Sequence, residues 1–114
     1  MRHELVVQLP ITGPWGTDAE LQLRHRLEEE LQEALGELGV VDGGDIGSGN
    51  VNIFIVEIPD AAPALERVKA VLARHAVLDR AIIQRTTYQS EEDDEPSDEA
   101  VVWPEGFTGT FSLF

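Results

Sequence analysis

Between Val51 and Ile58 the chain reads VNIFIVEI. In an extended backbone, side chains alternate between the two faces. Val51, Ile53 and Ile55 then fall on one side, and Asn52, Phe54, Val56 and Ile58 on the other. Both sides are largely apolar, and such a strand is stable only with something over each face. The segment is therefore expected as an inner strand. The rest of a 114-residue chain, a length typical of one domain, must supply its neighbours and its covering layers.

The flanking segments supply them. HELVVQLPI (3–11) alternates, with Leu5, Val7, Leu9 and Ile11 on one face and Glu4, Val6 and Gln8 on the other. It reads as a strand with Pro10 at its end or on an edge. TGPWG (12–16) is a turn, and Thr17 with Glu20 has the spacing of a helix capping box. Leu23, Leu27, Leu31, Ala34, Leu35 and Leu38 then recur every three or four residues. This predicts a helix over about 18–38, stopped by Gly39. VVDGGDIG reads as a short strand and SGN as the turn into the inner strand. Asp60 is placed to cap a second helix that ends near His75, with Leu65, Val68, Val71 and Leu72 buried. LDRAIIQRTTY (78–88) is rich in β-branched residues and reads as a strand.

The order strand, helix, strand, strand, helix, strand predicts a ferredoxin-like α+β fold, βαββαβ, with two helices on one face of an antiparallel sheet. The opposite face would carry Phe54, Val56 and Ile58. Its expected cover is a C-terminal apolar extension or a second copy of the chain, forming a homodimer through the open sheet face. Seven of the nine residues from Glu91 to Glu99 are acidic, so residues 89–100 are expected to form an acidic mobile loop. Residues 101–114 hold Val101, Val102, Trp103, Phe107, Phe111, Leu113 and Phe114 and are expected to dock on the domain.

Twenty-two acidic residues against eight Lys and Arg give a net charge of −14. That opposes nucleic-acid and anionic-membrane binding, both of which need clustered cations. It suits a basic protein partner. No apolar run is long enough for a transmembrane helix, and the N-terminal segment reads as a strand rather than a signal peptide, so a cytoplasmic location is expected. The absence of cysteine excludes disulfides, thiolate catalysis and cysteine-ligated metals.

The glycine-rich DGGDIGSGN (42–50) admits three readings. A phosphate cradle would lead into a helix and bring a basic residue, whereas this stretch leads into a strand and no Lys or Arg lies between Val40 and Asp60. A hard-cation site would draw on Asp42, Asp45 and Asn50, but the spacing is not that of an EF-hand loop. The favoured reading is structural: glycines supply the positive φ angles of a tight hairpin.

VDGGDIGSGNVNIF, PDAAPALERVKAVL, RAIIQRTTY and the late WPEGFTGTF together resemble a group of small uncharacterised bacterial proteins. Their shared pattern is a D-G-x-D-x-G-x-G-x-x-N-x-F strand followed by a W-P motif. The resemblance spans Leu5 to Phe111. It implies one compact domain and makes the hairpin glycines a group feature, but it brings no activity. The chain departs from the group near Gly44, where a His is more common.

Catalytic chemistry is not indicated. His25 and His75 are expected as solvated helix positions, no H-x-x-x-H or H-E-x-x-H spacing exists, and no serine has a G-x-S-x-G context. No cofactor is expected. The leading expectation is a non-catalytic interaction protein of the inhibitor or immunity type. It would hold a basic partner through Glu28, Glu29, Glu30, Glu33 and Glu37, with Trp15 or Trp103 as an interface anchor. The alternative is a small-ligand or calcium-sensing module framed by TGPWG and the glycine hairpin.

Overall fold

The computed structural model describes every residue except Pro14, Ser48, Glu91, Asp93, Asp94, Thr110, Ser112, Leu113 and Phe114. The elements run β1 (Arg2–Pro10), α1 (Asp18–Leu35), β2 (Val40–Gly47), β3 (Asn50–Ile58), α2 (Ala61–Arg74), β4 (Ile82–Tyr88) and β5 (Asp98–Trp103). The five strands form one open antiparallel sheet in the order β2-β3-β1-β4-β5. β3 therefore lies between β2 and β1, and β1 lies between β3 and β4.

Each helix starts where local chemistry dictates. Thr17 accepts from the Glu20 N–H, while the Glu20 carboxylate accepts from the Thr17 N–H, which closes the capping box. Asp60 accepts from the Ala62 N–H at the head of α2. α1 ends earlier than its leucine spacing predicts. Gly36 takes φ +55°, and the last turn tightens to a 3₁₀ helix over Gly36–Leu38. The exit is held by Gln32, which donates to the Gly39 carbonyl and accepts from the Val41 N–H.

The core forms between both helices and one face of the sheet. Leu27, Leu31, Leu35, Val68, Val71 and Leu72 pack on Leu5, Val7, Ile53, Ile55 and Ile83. Ile58 belongs to this core and is fully buried, contrary to the expectation that it shares a face with Phe54 and Val56. The reason is a bulge. His3 pairs with Ile58 but Leu5 pairs with Ile55, so β3 carries one extra residue, and Glu57 takes φ +55° there. One inserted residue reverses the alternation.

A second bulge lies in β2, where Val41 pairs with Ile55 and Gly44 with Ile53. Gly43 takes φ +82° in it. A third lies in β5, where Val102 is the extra residue between Val101 and Trp103. Asp98 and Glu99, expected within the acidic loop, are the first residues of β5. The Ser97 N–H bonds the Thr87 carbonyl at 2.8 Å just before that strand. Glu91, Asp93 and Asp94 of that expected loop, and Leu113 and Phe114 of the expected docking segment, lie outside the described residues.

The face turned away from the helices is not bare. Gln8, Asn52 and Thr86 point to it and are 6%, 0% and 9% exposed. Gln8 donates to Asn52 at 3.0 Å, and Asn52 donates to Asp45 at 3.0 Å, a polar row across β1, β3 and β2. Phe54 and Val56 beside this row are half-buried.

The β2 bulge brings Gly44 so close to β3 that a Cβ there would overlap the Asn52 carbonyl, whereas a Cβ at Gly43 would meet open space. Gly44→Ala is expected to lower unfolding stability by roughly 3 kcal/mol through backbone overlap. Gly43→Ala is expected to lose only about 1 kcal/mol, from its positive φ. Urea unfolding midpoints at constant slope measure both, and equal losses would contradict this geometry.

Candidate functional site

α1 carries the five glutamates singled out in the sequence, and the structure divides them. Glu28 turns to Arg24, 3.3 Å away, and lies 3.7 Å from His25. Glu30 lies between the helices, 2.8 Å from His75 Nε2 and 3.4 Å from Arg74. These two carboxylates serve the fold. His75 is accordingly a half-buried bridge between α2 and α1, not the solvated position expected of it, whereas His25 is exposed.

Glu29, Glu33 and Glu37 are exposed and make no ion pair among the described residues. Glu29 and Glu33, four residues apart, share one face of α1, and Glu37 follows in the 3₁₀ turn beyond Gly36. Arg26 precedes them on the N-terminal side and is also exposed. Local electrostatics opposes this arrangement. Like charges four apart on a helix repel by about 0.2–0.5 kcal/mol per pair. The C-terminal end of a helix favours cations, yet the last turn of α1 contains none. The cation that meets this end among the described residues comes from α2, where Arg67 donates to the Ala34 carbonyl at 2.8 Å. These carboxylates therefore contribute nothing favourable to the helix.

At the other end of α1, Trp15 is 68% exposed. The turn that presents it is held by one carboxylate. Glu20 accepts from the Thr12 N–H at 3.1 Å and from the Thr17 N–H at 2.9 Å. Those backbone bonds, Thr17 first, hold the Glu20 carboxyl below the usual carboxylate range. Trp103, the second aromatic candidate, is half-buried in the fold. Its indole N–H donates to the Leu78 carbonyl at 2.9 Å, and Lys69 sits 4.5 Å from its ring.

The residues weighed as a cation site do not converge. Asp45 faces Asn52, Asp42 is exposed in the β2 bulge, and Asn50 opens β3 opposite Gly47 and Pro10. Among the described residues, no group of three or more His, Asp or Glu is placed to hold a metal. The hairpin is tied to the chain just before the TGPWG turn, since the Ile11 N–H donates to the Gly49 carbonyl at 2.8 Å. A cavity of about 90 Å³ lies nearby, lined by Leu9, Ile11, Leu23, Leu27, Val51 and Arg80 among others.

Two features escaped the sequence reading. Arg24 reaches from α1 to the Gly44 carbonyl at 2.9 Å, so the hairpin does meet an arginine, one supplied by a distant segment. The Gln8–Asn52–Asp45 row is the other. Its only trace in the sequence is a polar residue at the same parity in two strands whose register was unknown.

Among described residues, no helix is long and apolar enough to cross a membrane. Compared with protein-family models, curated proteins and solved structures, the chain matches none of them.

A carboxylate whose pKa is depressed by folding stabilises fully above its unfolded pKa, and the contribution fades as pH falls through the folded value. Glu20→Ala is therefore expected to melt below the wild type at neutral pH, with the gap closing in acid below the ordinary carboxylate range. A gap independent of pH between 7 and acid unfolding would show that Glu20 does not anchor the turn through its charge.

Proposed function

We propose that the protein is a non-catalytic interaction module that binds a basic protein partner, in the manner of an inhibitor or immunity protein, and that its fold is ferredoxin-like. The fold reading is supported by the insertion of β3 between β2 and β1, and of β1 between β3 and β4, with β5 as an addition at the β4 edge. The functional reading rests on Glu29, Glu33 and Glu37, three exposed carboxylates without an ion pair among the described residues, of which Glu29 and Glu33 repel along α1 and Glu33 sits in its last turn, the unfavourable end of the helix dipole for an anion. A cationic surface would turn that local cost into attraction and would speed encounter.

Trp15 supplies what these carboxylates lack, an apolar anchor of the kind that dominates interface energetics. α1 has 18 residues, a length of about 27 Å, with Trp15 before its N-terminal end and Glu37 beyond its C-terminal end.

Capture from lysate on the immobilised protein at about 50 mM salt is expected to retain a basic protein that about 500 mM salt releases. The triple variant Glu29→Lys, Glu33→Lys, Glu37→Lys is expected to lose it, and Trp15→Ala to weaken it by roughly tenfold or more. Retention that ignores both salt and the triple variant would defeat the proposal.

A second reading, a small-ligand or calcium-sensing domain, has one observation in its favour: the TGPWG turn and the hairpin meet beside a small cavity. A melting temperature raised by calcium and restored by EDTA would move the conclusion to it.

A further inference from the structure

β2 lies at one end of the sheet, paired with β3 on one side. The free side of an end strand carries backbone N–H and C=O groups that point away from the sheet, a template for another strand. The sequence of β2, VVDGGDIG, contains none of the Lys or Pro that commonly protect such an edge. Its glycines leave little side-chain bulk to keep a second backbone away, and Val40 is 40% exposed.

The outward groups are met from α1 instead. The Val41 N–H donates to the Gln32 side-chain oxygen at 2.9 Å, and the Gln32 amide donates to the Gly39 carbonyl at 3.1 Å. Arg24 Nη2 donates to the Gly44 carbonyl at 2.9 Å. Val41 and Gly44 are three residues apart, but the bulge between them inserts one residue. Both therefore stand at the same phase of the ladder and turn their backbone groups the same way.

The helix residues that reach them are also in phase. Arg24, Glu28 and Gln32 are four apart, so they line one side of α1, next to the buried row of Leu27, Leu31 and Leu35. The earlier residue, Arg24, meets the later part of β2, and Gln32 meets its start, so this side of the helix follows the strand edge. Glu28 completes it by holding Arg24 Nε at 3.3 Å, with both side chains only 18% exposed.

We propose that Arg24, Glu28 and Gln32 guard the β2 edge against a second copy of the chain, whose own β2 would otherwise pair with it antiparallel. A second copy is the natural occupant because an edge that meets itself about a two-fold axis closes into a dimer, each ladder bond being repeated by symmetry. Two glycine-rich strands can also approach without side-chain overlap. This proposal is independent of Glu29, Glu33 and Glu37 and stands or falls without them.

The test is the mass of the full chain by sedimentation equilibrium from about 10 μM to about 1 mM, in roughly 0.5 M salt so that self-repulsion is screened. The double variant Arg24→Met, Gln32→Met keeps good helix formers at both positions. It is expected to dimerise with a Kd on the order of 100 μM, at least tenfold tighter than the wild type. The Gly44 and Ile46 amides are expected to gain protection from hydrogen exchange as that dimer forms. Arg24→Lys is expected to keep the wild-type mass, since an ammonium still donates to the Gly44 carbonyl. Leu23→Ala, which loosens α1 without touching the edge, is expected to keep it too.

A double variant that stays at the wild-type mass up to about 1 mM would overturn the proposal. So would a dimer that leaves the Gly44 and Ile46 amides unprotected, or equal dimerisation by Leu23→Ala, which would trace the effect to lost stability. A wild-type chain whose Gly44 and Ile46 amides become protected as concentration rises would overturn it as well. If the double variant fails to fold, Arg24→Met and Gln32→Met decide singly: each is expected to dimerise more weakly, and wild-type mass in both would sink the idea.

Discussion

β3 is sealed on its helix face and, at Asn52, on the opposite face as well, and the rest of the structure accommodates that fact. Ile53, Ile55 and Ile58 are sealed against the helices, while Asn52 is equally inaccessible on the opposite side. An amide buried without partners would cost about 1–3 kcal/mol, so Asn52 must be met from both neighbouring strands. Gln8 meets it from β1 and Asp45 from β2. This row fixes register more strictly than apolar packing does, because a slip of one residue would strand all three polar groups. It also explains why Asp45, read from the sequence as a candidate cation ligand, sits where it does: it terminates a hydrogen-bonded row.

The bulges set which residues face the core. β3 continues to Ile58 with an apolar residue of the wrong parity for the core, and the extra residue around Glu57 brings it inward. β2 carries a separate irregularity between Val41 and Gly44, and glycine is used where the two backbones approach most closely. The glycine-rich stretch is thus partly turn and partly bulge. Gly49 takes φ +82° in the connection between β2 and β3, and Gly43 does so inside the strand.

Charge is distributed with the same division between fold and surface. Glu28, Glu30 and Glu20 are drawn into pairs or caps that hold elements together. Glu29, Glu33 and Glu37 are left facing water, with the repulsion between Glu29 and Glu33 intact. That contrast, rather than the net charge, singles out one helix face as a surface for a cationic partner. Arg85 is a partly exposed cation paired with Asp98 at the rim of the sheet, its Nε buried and without a partner among the described residues.

The sequence by itself determined six of the seven elements and the starts of both helices, because these depend on near neighbours; β5, expected as loop and docking segment, was not among them, and β4 starts at Ile82 rather than at Leu78. The capping box at Thr17, the Asp60 cap, the leucine spacing of α1 and the alternation of β1 all act within a few residues. The division of the glutamates was not legible, since it depends on which cations arrive from Arg74, His75 and the turn of α1 itself. The inward placement of Ile58 was hidden because a single bulge reverses strand parity without any local signal strong enough to announce it. Arg24 at the Gly44 carbonyl and the polar row through Asn52 were decided only by tertiary structure. Each brings together residues at least twenty positions apart or on three different elements, or both, and pairing over such separations is set by sheet register and helix packing, which no local pattern encodes.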